Sequence, residues 1–119
     1  MKFSRMEIEL ARQLKGDGLN WTPAVGHFVW DENGLIEADS PFHDRVFFIL
    51  DMKHFLRRSK TIEALQDACV WLPTWEDARD WLIQHGVDDA LIAQRLQQEK
   101  AIESRTERLV LYRMIAENL

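Results

Sequence analysis

FVWDENGLIEADSPFHDRVFFIL, residues 28 to 50, decides the fold class, because it holds the clearest turn of the chain between two runs of strand-forming residues. Asn33-Gly34 tolerates the positive φ that tight turns require, and Phe28, Val29 and Trp30 favour extended backbone. Counting Asp31 to Gly34 as the loop sets Trp30 opposite Leu35 and Val29 opposite Ile36, a better pairing than a two-residue loop, which would oppose Trp30 to Glu37. After Ser40-Pro41, the unalternated run Val46 to Leu50 suggests burial on both faces, so the segment 45–50 is predicted to be the central strand.

Upstream, Ser4 and Glu7 have the spacing of a capping box, and Ile8, Leu10, Ala11 and Leu14 carry a helix over about 5–15 until Gly16 and Gly18. Thr22-Pro23 then enforces extended backbone. Downstream, Asp51 is placed to cap a short helix in which Met52, Phe55 and Leu56 point inward, with Lys53, Arg57 and Arg58 outward. Thr61 caps a further turn or two carrying Ile62, Leu65, Ala68 and Cys69. Val70-Trp71-Leu72 reads as a short edge strand before Pro73. Thr74 with Asp77 forms a second capping box, and Trp75, Ala78, Trp81, Leu82 and His85 share a helical face that Gly86 ends.

From Asp88 or Asp89 to about Asn118 there is neither Gly nor Pro, and one continuous helix there would be about 45 Å long. A single domain of 119 residues has a diameter near ~35 Å. Such a helix, residues 88 to 118, either breaks or projects from the body. Its apolar stripe thins between Gln97 and Arg108, where only Ala101 and Ile102 are apolar, which disfavours a long coiled coil. The expected architecture is one α+β domain over residues 1–119: an antiparallel sheet of three or four strands covered by helices, with a helical C-terminal half and a long final helix.

Composition restricts the function classes. Fifteen Lys and Arg against 20 Asp and Glu leave a net charge of -5, which opposes non-specific binding to nucleic acid or anionic lipid. The longest stretch without Asp, Glu, Lys or Arg, Gly18 to Trp30, is too short to cross a bilayer and contains Pro23. Glu7 and Glu9 stand where a signal peptide needs apolar residues, and the single cysteine cannot form an internal disulfide, so a cytoplasmic location is expected.

Candidate chemistry is sparse. His27, His43, His54 and His85 include no pair at the i+2 or i+4 spacing of shared metal ligands, and His43-Asp44 leads into a strand, so no metal is expected. Glu76, Asp77 and Asp80, like Asp88 and Asp89, sit where the helix dipole favours acids, without need of catalysis. Cys69 lies among apolar residues and reads as a buried structural thiol. The spacing of Lys15 to Gly18 matches no nucleotide loop, and no cofactor is expected. One basic patch stands out: Lys53, Arg57, Arg58 and Lys60, accompanied by His54. It reads as a solvated helix face on which an acidic partner can dock. Five tryptophans are numerous for this length; Trp71, Trp75 and Trp81 are placed either to line a groove beside the sheet or to enrich the core.

The expected function is therefore a non-enzymatic, cytoplasmic interaction module, acidic and tryptophan-rich, that self-associates as a homodimer through Ile102, Leu109, Val110 and Met114 of its terminal helix. The alternative is a small enzyme or ligand receptor with a polar site at His43, Asp44, Asp51, His54 and Arg57, with Trp71 and Trp75 as possible ligand contacts. A strand of six residues spans about 20 Å, which separates His43 from His54 and weakens that alternative.

Overall fold

Capping chemistry places most of the helices. In the computed structural model, which describes residues 1–36 and 45–119, the first helix, α1, runs Arg5–Gly16, with the Ser4 hydroxyl accepting from the Glu7 N–H at 3.1 Å and the Glu7 carboxylate accepting from the Ser4 N–H at 2.8 Å. Asp51 caps α2 (Met52–Ser59), Thr61 caps α3 (Ile62–Ala68), Thr74 and Asp77 form the capping box of α4 (Trp75–Gln84), and Asp88 caps α5 (Asp89–Gln98). Each is the residue whose short polar side chain the sequence sets before an apolar periodic run. The chain divides into two compact units, one comprising Met1–Phe3 with Asn20–Leu72, the other Ser4–Leu19 with Pro73–Leu119.

The first unit contains a three-stranded antiparallel sheet of β1 (Phe28–Trp30), β2 (Val46–Phe48) and β3 (Val70–Leu72), in the order β2-β1-β3. This corrects two expectations. The central strand is β1, with Val29 opposite both Phe47 and Trp71, whereas β2 of the long apolar run has a neighbour on one side among the described residues. Leu35 and Ile36 form no strand. Their N–H groups instead bond the Asp31 carboxylate at 2.9 and 2.8 Å, because a buried carboxylate competes well for amides that a hairpin partner would otherwise take. Arg45, in the left-handed region at φ 61, completes the clamp on Asp31 at 2.6 Å.

Both faces of this sheet carry aromatic packing. On one, Phe28 meets Phe48 at 4.7 Å and Phe3 at 5.3 Å between ring centroids. On the other, Phe55 of α2 meets Phe47 edge-on at 6.5 Å, and Trp21 stacks on Trp71 at 6.1 Å. Leu65 and Cys69 are fully buried, and Cys69, the single cysteine, is in no disulfide.

The second unit is helical: α1, α4, α5, α6 (Ala101–Ser104) and α7 (Glu107–Glu117). The run 88–118 breaks. Lys100 (φ 50) and Arg105 (φ 57) both adopt left-handed backbone, turning the chain between α5 and α6 and between α6 and α7 without any glycine. α7 folds back onto α1 and α4 and buries Leu109, Val110, Leu111, Tyr112, Met114 and Ile115. That helix is apolar nearly all round because it is the core of its unit. Tyr112 is fully buried and donates its hydroxyl to the Pro73 carbonyl. Glu7 of α1 pairs with Arg108 of α7, Arg79 grips Asp89 through two hydrogen bonds of 2.8 and 2.7 Å, and Arg95 of α5 holds Glu117 of α7. No helix among the described residues is long and apolar enough to cross a membrane.

Candidate interaction surface

The surface is built where β1 begins. Ala24 to His27 form a turn closed by the His27 N–H on the Ala24 carbonyl at 3.1 Å, with Gly26 at φ 97 in the position that demands positive φ. The Gly26 N–H then bonds the Ile49 carbonyl, and the Ile49 N–H bonds the His27 carbonyl, both at 2.9 Å. Two residues therefore oppose one, the pattern of a β-bulge with glycine at its first position. Val25 is left at the tip of the turn, 60% exposed, and Leu50, next after Ile49, is 76% exposed. Burying a leucine is worth about 1.5–3 kcal/mol relative to leaving it in water, and that stabilisation is forgone at Leu50. Of the apolar run, Val46, Phe47 and Ile49 are buried and Phe48 is half-buried, against the expectation that it would be buried throughout.

Asp51 follows and accepts from the Lys53 N–H at 2.9 Å, which starts α2. Phe55 faces the sheet, so Lys53, His54 and Arg57 are turned to solvent. Lys53 and Arg57 are one helical turn apart, and Lys60, the exposed C-cap at φ 69, continues the same stripe at i+7. Among the described residues none of the three cations forms an ion pair within 4 Å. A like-charged pair at i, i+4 destabilises a helix by about 0.2–0.5 kcal/mol, and a cation in the first turn also opposes the helix dipole. The dipole accounts for Arg57 and Lys60 near the C-terminus but not for Lys53. The result is a basic stripe beginning beside two exposed aliphatic side chains.

The other expected site residues are dispersed. His54 is exposed, with its ring edge-on to Phe55 at 5.6 Å. His43 and Asp44 lie outside the described residues. Trp71 is buried against Trp21 and His27, the latter at 5.3 Å, and so belongs to the core of the first unit. Trp75 and Trp81 belong to the second unit: Trp75 is 38% exposed, and Trp81 stacks on His85 at 3.6 Å while its carbonyl approaches His85 Nδ1 at 2.7 Å. Only Ala78 and Leu82 of the expected α4 face are buried. Of the expected interface residues, Leu109, Val110 and Met114 are buried within their own unit, where α1 and α4 cover them. Ile102, at 71% exposure, is the exception. Among the described residues no three His, Cys, Asp or Glu side chains are arranged to hold a metal ion.

Sequence reading singled out the basic stripe but missed Val25 and Leu50. The available signal was Gly26: a glycine just before a strand marks a bulge that ends regular pairing and turns the neighbouring side chains out. Comparison with protein-family models, curated proteins and solved structures finds no match to this chain.

Proposed function

We propose that this protein is a non-enzymatic interaction module that docks an acidic, partly apolar segment of a protein partner on the α2 face of its first unit. One observation carries the reading: Lys53, Arg57 and Lys60 form a cationic stripe, without an ion pair among the described residues, beside exposed Leu50 and Val25. An interface needs an apolar anchor that excludes water and charged groups that fix register, and this face offers both. The net charge of -5 favours a protein over a membrane or nucleic acid, because a polyanion feels the repulsion of the whole chain, whereas a short acidic segment contacts only the local stripe. Self-association through α7 is not part of the proposal, since the side chains invoked for it are occupied inside the protein's own core.

The test uses a fluorescein-labelled amphipathic peptide with glutamates at i, i+4 and flanking leucine and tryptophan, followed by fluorescence anisotropy. Binding that weakens as salt rises, and that is lost in K53E/R57E and reduced in Leu50→Asp, is the expected result. Binding unchanged by these substitutions, or no binding at low salt, refutes the reading.

A further inference from the structure

The complement of the basic stripe exists within the same sequence. On α4, Ala78 and Leu82 are buried, so the opposite side of the helix carries Glu76 and Asp80, both exposed and one turn apart, with Ile83 (43% exposed) beyond them. Neither acid forms an ion pair within 4 Å among the described residues. Arg79, which stands between them and feels both charges, is committed to Asp89 by two hydrogen bonds. Glu76 and Asp80 therefore repeat, with opposite sign, the i, i+4 arrangement of Lys53 and Arg57.

We infer that the partner of the α2 face is the α4 face of a second copy of this chain, the two helices antiparallel, Glu76 meeting Arg57 and Asp80 meeting Lys53 while Ile83 covers Leu50 and Val25. This rests on the reading of α2 as a docking surface and supplies its occupant. The four charges match because both pairs are spaced by four helical residues, about 6 Å along either axis, so two ion pairs form at once without distorting either helix. The contact joins unlike surfaces. It closes into a two-fold dimer if each copy gives α4 to the other's α2, and grows into a chain or ring if it does not.

Sedimentation velocity of the full chain tests the inference. Wild type is expected to associate at high micromolar concentration in about 0.05 M NaCl and to dissociate in about 0.5 M, as the screening length shrinks from roughly 14 to roughly 4 Å. K53E/R57E and E76K/D80K should each be monomeric at low salt, with circular dichroism unchanged. Mixed in equal amounts they should associate again, since the acidic α2 of one then faces the basic α4 of the other; the quadruple variant should self-associate alone. A wild type that stays monomeric, or an E76K/D80K that associates like wild type, overturns the inference. If the acidic peptide still binds α2 in either case, only the assignment of the second copy has failed; if it does not, the docking surface has failed as well.

Discussion

Arg108 closes on Glu7 across a sequence separation of 101 residues, donating to both carboxylate oxygens, one of them at 3.2 Å, and so ties α7 to α1. Both side chains are largely buried, at 18% and 10% exposure. Glu7 has two tasks, since the same carboxylate closes the capping box on Ser4.

Removing one partner strands the other in a poorly solvated position. Arg108→Met leaves the Glu7 carboxylate uncompensated and is expected to destabilise the fold by about 1–3 kcal/mol, the residual exposure moderating the larger cost of a fully buried charge. Urea denaturation should show a lower midpoint with an unchanged slope.

Acid should weaken the same contact. Burial pushes the Glu7 carboxyl up, but hydrogen bonding from Arg108 and from the Ser4 backbone outweighs it, and the group ends below its ordinary value of 4.5. Hydrogen bonding from Arg79 and Arg95 likewise lowers Asp89 and Glu117. A lowered carboxyl contributes stability in full above its unfolded pKa and loses it as pH falls through the folded one. Wild type should therefore lose stability progressively below the ordinary value of 4.5 for Glu7, and Glu7→Gln should flatten that limb, as read from thermal midpoints across the acid range.

Tyr112 is the single tyrosine, so its ionisation can be followed by ultraviolet absorbance. Burial is the leading cause that raises the phenol well above its ordinary value of 10.0. A raised acid stabilises the fold below its unfolded pKa and loses that contribution as pH rises through the folded one. The phenolate signal should appear only with global unfolding in alkali. Tyr112→Phe leaves the Pro73 carbonyl without this donor and should cost about 1–2 kcal/mol.

The breaks flanking α6 rest on left-handed residues with side chains. Glycine accepts that backbone without steric cost, so Lys100→Gly should be neutral to stabilising by up to about 1 kcal/mol, and Lys100→Val destabilising. Thermal denaturation of the pair gives the sign. A continuous helix through residue 100 would reverse it, because glycine weakens a helix interior.

Local chemistry was the legible part of this fold. Ser4 with Glu7, Asp51, Thr61, Thr74 with Asp77, and Asp88 all act as the caps their spacing implies, because a cap needs only residues two or three positions away. The basic stripe on α2 was legible for the same reason. Leu50 was not, since an apolar residue ending an apolar run reads as buried until the Gly26 bulge is known. Nor were the turns at Lys100 and Arg105, which use residues with no turn preference of their own.

What the sequence determined by itself is the α+β class and the starts of α1 to α5, all products of short-range capping and periodicity. Tertiary structure alone decided that Val29 sits between Phe47 and Trp71, that Asp31 takes the amides of Leu35 and Ile36, and that α7 turns inward to bury Leu109, Val110 and Met114. Those outcomes depend on which distant segments meet, and the free energy of burial is gained only once they have met.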